Sequence, residues 1–175
     1  MGEAFTLSNT IDMKKLKPKD DEILIGWYSG IPHAESGEDV AEIARKLTYG
    51  AGPQTWTKLL GGKTQTFHVT HVEARPVVQD GMEAGKEEVK GRIAKYFEKK
   101  TAGENVNSAL NEIGAACVAV VRKFAIMGNY KSSKPNLPAW SAMKQGSPPW
   151  IDTGQVMDTL TYVTHEGIAK NPGSE

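Results

Sequence analysis

The stretch DGMEAGKEEVKGRIAKYFEKKTAGENVNSALNEIGAACVAVVRKFAIMGN, residues 80–129, reads as two consecutive helices. Asp80 stands three residues before Glu83, the spacing of a capping box, and opens a helix to about Lys99. Met82, Val89, Ile93 and Tyr96 or Phe97 make its buried stripe. Thr101 and Glu104 repeat the capping signal for a second helix to about Met127. Its stripe is Val106, Leu110, Ile113, Cys117, Val120 or Val121, and Phe124. Ala109, Ala115, Ala116 and Ala119 allow a neighbour to pack closely. Gly128-Asn129 supplies a left-handed stop.

Shorter elements lie on either side. Glu22–Tyr28 (EILIGWY) has strand composition, and Asp39–Tyr49 (DVAEIARKLTY) is a short amphipathic helix that Gly50 stops. Residues 50–65 are Gly-, Thr- and Lys-rich without a period and read as a projecting loop. Thr66–Val72 (TFHVTHV) alternates as a strand does, and Arg75 before Pro76 is biased toward extended backbone. Residues 129–149 contain four prolines and read as a long arm. Trp150–Gly154 (WIDTG) makes a tight turn, after which Val156–His165 alternates as a final strand. The fold class is α+β: a small mixed or antiparallel sheet packed against two longer helices, with extended loops. One domain spans residues 22–166, between a flexible N-terminal arm (1–21) and a mobile tail (167–175).

Composition narrows the function classes. The chain has 175 residues, enough to bury roughly two-thirds of its unfolded surface without a staple. Lys plus Arg and Asp plus Glu are both 21, a balance that argues against a dedicated nucleic-acid or membrane-surface binder and favours self-association. Cys117 is the single cysteine, which excludes an intrachain disulfide and a cysteine-built zinc site. The longest apolar run, Ala115–Val121, is far short of the roughly 20 residues a membrane span needs, and the N-terminus lacks the pattern of an export leader.

No group of residues presents itself as catalytic. His68 and His71 lie three apart in a strand and point to opposite faces, so one metal would not take both. Gly61-Gly62-Lys63 lacks the earlier glycine and the following helix of a phosphate loop. Asp152-Thr153-Gly154 resembles half of an aspartic-protease dyad, but the second carboxylate is missing and a turn-forming Asp is the better reading. Cys117 falls on a helical stripe, as a small core residue does. The cations Lys90, Arg92, Lys95, Lys99 and Lys100 share their helix with Glu87, Glu88 and Glu98, the pattern of a solvated face.

The aromatic residues point instead to assembly. Trp56, Trp140 and Trp150 all fall in segments read as loops and are candidate anchors on partner surfaces, where tryptophan is enriched. Lys131 and Lys134 are less compensated by acids and could meet a phosphate or a partner carboxylate. Arg75, held beside Pro76, suits a fixed charged contact with a neighbour.

The order of these pieces resembles the tail-completion or neck family of tailed bacteriophages, the lambda minor tail protein Z-like and Mu virion-morphogenesis-like proteins. The matching features span about residues 22–165. VAEIARKLTYG is similar to the family's helix ending in an aromatic-Gly pair, with Thr48 where an acidic residue is usual. EARPVVQDGME is similar to its P-x-R-P-F segment, with Val77 in the aromatic place. Ala109-Leu110 to Gly114 matches its Ala-Leu-x-x-x-Gly pattern. PPWIDTGQVMDTLTYVT is the most specific piece, close to P-L-x-D-T-G-x-L-x-x-S-I-x-Y, with Trp150 for Leu and Thr159 for Ser. The resemblance implies a non-enzymatic virion protein without cofactor, assembled in the host cytoplasm into a six-fold homo-oligomeric ring. Its partners would be head-connector and tail-terminator or tail-tube proteins. DNA would pass nearby without specific binding, and no membrane is involved. A tail terminator or head-closure protein is the near alternative, and a small nucleic-acid-binding protein the distant one.

Overall fold

A computed structural model of the chain describes residues 18–19, 21–60, 62–127, 150, 154–165 and 167–168. In chain order the elements are β1 (Leu24–Gly26), α1 (Val40–Tyr49), β2 (Gln54–Leu60), β3 (Lys63–Val69), α2 (Val77–Thr101), α3 (Asn107–Met127), α4 (Gln155–Asp158), β4 (Thr161–Thr164) and β5 (Gly167–Ile168). The class is α+β.

The two long helices form an antiparallel pair joined by residues 102–106. Helix α2 starts four residues earlier than the capping-box reading predicts. Pro76 (φ −74°) stands at its N-cap with no side-chain cap bond, and Asp80 lies in the first turn, where a carboxylate suits the positive end of the helix. Helix α3 starts later than predicted. The Asn107 amide donates to Asn105 Oδ1 at 3.0 Å, so Asn105 takes the capping role assigned to Thr101. Leu110, Ile113, Cys117, Val120, Val121 and Phe124 are all buried, as their spacing requires. On α2, Met82, Val89 and Tyr96 are buried, but Ile93 and Phe97 are 39% and 54% exposed. The stripe is therefore narrower than the apolar pattern suggests.

What lets the helices approach is glycine more than alanine. A Cβ on Gly85 would lie 2.5 Å from Val120 Cβ, and one on Gly81 would lie 3.0 Å from the Val121 Cα. Ala115 and Ala119 face solvent. Along an adjoining face α3 packs on a three-stranded antiparallel sheet of order β1-β4-β5, with Leu24 opposite Val163 and Val163 opposite Ile168. The Tyr162 ring lies directly over Gly114, where an added Cβ would be 2.3 Å away.

The final segment departs from the strand reading in its first half. Residues 155–158 form a helical turn, with the Gly154 carbonyl accepting from the Met157 and Asp158 amides at 3.0 and 2.9 Å. Arg122 of α3 clamps the far end of this turn. Its Nε donates to the Met157 carbonyl, and its Nη2 donates to those of Asp158 and Leu160, at 2.8–3.0 Å. The Met157 carbonyl also accepts from the Leu160 amide at 3.2 Å, so Arg122 adds to the backbone bonds that close this turn. Gln155 ties the same turn to the loop before α1, accepting from the Ala34 amide at 2.8 Å and donating to the Pro32 carbonyl at 2.9 Å.

Both predicted ends need correction. Pro18 is buried and Asp21 is bonded to α2, so the last part of the N-terminal arm belongs to the domain. Gly167–Ile168 pairs with β4, so the sheet extends into the segment read as a mobile tail. Among the described residues no helix is long and apolar enough to cross a membrane.

Glycine contacts make a signed prediction. Replacing a mid-helix glycine with alanine raises helix propensity by about 1 kcal/mol, whereas forcing a methyl into packed surroundings costs about 1–3 kcal/mol. Gly91 has nothing within 4 Å of its added Cβ, so Gly91→Ala should raise the midpoint of thermal unfolding. Gly114→Ala should lower it by several degrees, because the Tyr162 ring is held between α3 and its own strand. Circular-dichroism melts of the two variants beside the parent chain check both signs.

Candidate functional site

Residues 50–65, predicted to be a loop, are the larger part of a regular hairpin. β2 and β3 pair antiparallel over seven residues each, from Gln54 opposite Val69 to Leu60 opposite Lys63. Two residues separate the paired ends Leu60 and Lys63, and the second of them, Gly62, has φ 76°, a conformation that favours glycine. Cross-strand bonds support the register: Thr55 Oγ1 lies 3.0 Å from His68 Nδ1, and Thr57 Oγ1 lies 3.4 Å from Thr66 Oγ1. The signal was present as two β-rich runs separated by Gly-Gly. Lysine at 58 and 63 and the run of threonines hid the alternation.

The hairpin is fastened at its base and open beyond it. The Ala51 and Val72 amides exchange hydrogen bonds with each other's carbonyls at 3.1 and 2.8 Å, and the Arg75 amide donates to the Leu47 carbonyl at 2.8 Å. Val69 and Val72 are buried there. Further out, Thr55, Thr57, Lys63, Thr64, Gln65, Thr66 and His68 are exposed and Phe67 is half-buried. Strands of this length extend about 23 Å. A two-stranded hairpin alone in water is marginal, because it buries little on either face.

Of the residues chosen from sequence as interface anchors, Trp56, Trp150 and Arg75 are among the described residues. Trp56 lies in β2, opposite Phe67 in register. Trp150 is a core residue: it is 1% exposed and stacks on Trp27, with ring centroids 5.6 Å apart and planes 10° apart. Its reading as a partner anchor is corrected. The neighbouring Pro148-Pro149 suggested a loop, but the turn delivers the indole inward. Trp27, half-buried, covers it and donates from Nε1 to the Val156 carbonyl at 2.5 Å. Arg75 is corrected likewise. It is 3% exposed and donates from Nη1 to the Glu73 carbonyl at 3.2 Å, so it braces the segment between hairpin and α2 instead of facing a neighbour. Gly154 adopts φ 83° at the start of α4, as a turn residue. Lys131, Lys134, Trp140, Asp152 and Thr153 lie outside the described residues, as does the whole predicted arm 129–149.

Titratable groups are dispersed. Among the described residues no group of three or more His, Cys, Asp or Glu could hold a metal ion. His68 bonds across the hairpin, while His71 Nε2 lies 3.5 Å from Glu73 Oε1. A groove of about 370 Å³ runs between α2 and α3, lined by Arg92, Lys95 and Lys99 but also by Glu88 and Glu112, with Arg92 and Glu112 3.9 Å apart. On the other flank of α2, Asp21 accepts from Tyr96 and Lys100. The Lys100 ammonium first, then the Tyr96 hydroxyl, hold its carboxyl below the ordinary value.

Comparison of the chain with protein-family models, with curated proteins and with solved structures returns no match.

Cys117 supplies the sharpest chemical test of the core. Burial pushes its thiol from an ordinary 9.0 up to about 11. The folded chain thus holds this proton more tightly than the unfolded one. Its contribution to stability is complete below about pH 9 and is lost as pH rises toward about 11. At pH 8 an aromatic disulfide reagent should modify Cys117 only as fast as the chain unfolds, and urea should accelerate the reaction in step with loss of helix signal. Prompt labelling of the native protein would contradict the packing.

Proposed function

We propose that this chain is a structural, non-enzymatic subunit of a tailed-bacteriophage neck, forming a homo-oligomeric ring that completes the tail and joins it to the head. The observation that carries the reading is the β2–β3 hairpin. Six paired residues per strand stand beyond the last buried valine, Val69, and most of their described side chains are in solvent. Such a ribbon gains little from its own fold, and a neighbouring surface that covers it supplies the missing burial.

A ring subunit also needs a second, different patch, because successive subunits meet through unlike surfaces. Exposed Ile126 and Met127 at the end of α3, with Tyr49 at the end of α1, are candidates for that patch. Zero formal charge favours association. The motif resemblance from EILIGWY to TLTYVT suggests the virion context: head-connector proteins on one side and tail-terminator or tail-tube proteins on the other. A tail-terminator or head-closure role would use the same surfaces with different neighbours. Arg92, Lys95 and Lys99 along the α2–α3 groove favour a second reading, a small nucleic-acid-binding protein. Its mark would be DNA retardation that weakens steeply with salt.

Light scattering on the purified protein, alone and with isolated tail tubes, tests the ring. A discrete multimer that persists at about 1 M salt, where the Debye length is about 3 Å, is the expected result. A monomer under every condition counts against it. Trp140→Ala, in the Pro-flanked stretch before Trp150, should weaken assembly while the melting temperature of the subunit stays within about a degree. Lower melting with assembly intact would assign Trp140 to the subunit's own core.

A further inference from the structure

Ile93 and Phe97 stand one helical turn apart on α2, 39% and 54% exposed, although a 25-residue helix packed on α3 has ample room to bury its large apolar side chains. Tyr96, between them in sequence, turns inward and is 3% exposed. Its ring meets that of Phe97 edge-on, with centroids 5.4 Å apart. The Tyr96 hydroxyl donates to Asp21, and the Lys100 ammonium sits on the same carboxylate. These bonds bring the chain at residue 21 onto the last turns of α2, beside the exposed pair. Pro18, three residues earlier, is already buried.

Before Pro18 come seventeen residues outside those described, MGEAFTLSNTIDMKKLK. Residues 5–16 of this stretch carry five large apolar side chains: Phe5, Leu7, Ile11, Met13 and Leu16. Fully extended they reach about 56 Å, whereas Ile93 lies only about 10 Å along the helix from Lys100. Length therefore sets no obstacle, and the point of attachment puts the segment next to the ridge.

We propose that residues 5–16 of this same molecule dock on the Ile93–Phe97 ridge of α2. The occupant is the chain's own N-terminal segment because the tether keeps it at millimolar effective concentration beside the ridge, which a second copy reaches only at millimolar protein. Apolar contact drives the docking, and Asp21 serves as the hinge pin that holds the root of the segment in place. The inference is independent of the ring and stands or falls without it.

Site-directed cross-linking in the full chain tests it, since buried Cys117 leaves introduced cysteines as the reactive ones. Cysteine is placed at exposed Ala94 on α2 and, in separate variants, at Thr6, Ser8 or Thr10. Each pair is compared with the same pair carrying Ile93→Asp and Phe97→Asp, both exposed positions at which substitution spares the core. At least one pair should form an intramolecular bis-maleimide link about tenfold faster with the ridge intact than with the aspartates. Helix signal and melting serve as controls for folding. Equal rates with and without the aspartates would mean that tethering alone brings the cysteines together, and would overturn docking. Covalent dimers whose yield rises with concentration would place a second copy on the ridge and overturn it too.

Discussion

The ring of Tyr162 lies against the bare backbone of Gly114, and much of the architecture follows from that contact. With no side chain at 114, α3 can settle onto the sheet at a distance that only glycine permits. Along an adjoining face the same helix meets Gly81 and Gly85 of α2 through Val121 and Val120. α3 is therefore enclosed between a helix and a sheet, and eleven of its twenty-one residues are buried. Interiors pack at crystal density, so each close approach determines where the partner element must lie.

The polar contacts of α3 extend this control to the end of the chain. Arg122 takes up three carbonyls around α4, a role its fixed planar fork of donors suits better than an ammonium would. Gln155 then links α4 to the loop before α1, and Trp27 bonds the Val156 carbonyl while stacking on Trp150. Residues more than a hundred positions apart thus share one layer. The Trp150 indole Nε1 finds no hydrogen-bond partner among the described residues, a cost of about 1–3 kcal/mol set against the roughly 150–250 Å² that an aromatic side chain buries. Burial is the larger effect.

The hairpin obeys different energetics. Its backbone hydrogen bonds are satisfied between β2 and β3, but its described side chains bring little burial beyond Val69. Under the proposed assembly role, a neighbouring surface would supply the burial that this ribbon lacks. The dispersed titratable groups show the same economy. His68 and Thr55 settle one another across the strands, and Asp21, Tyr96 and Lys100 secure a segment. Each group serves the fold where it stands.

The stripe of α3, the extent of α1 with Asp39 and Gly50 at its ends, and the α+β class were legible in the residues. Helical spacing and caps act within four or five positions, and local sequence carries them. The depth of burial was not legible. Trp150 reads as a loop anchor beside two prolines until Trp27, 123 positions earlier, is seen stacked on it. Arg75 reads as a surface cation, yet it is buried where its amide bonds the Leu47 carbonyl at the end of α1. Ile93 and Phe97 match the α2 stripe, yet both are exposed. Periodicity reports which residues can share a face, whereas the distance of closest approach between elements decides which of those faces is covered. Gly85 and Gly114 set that distance only through partners remote in the chain.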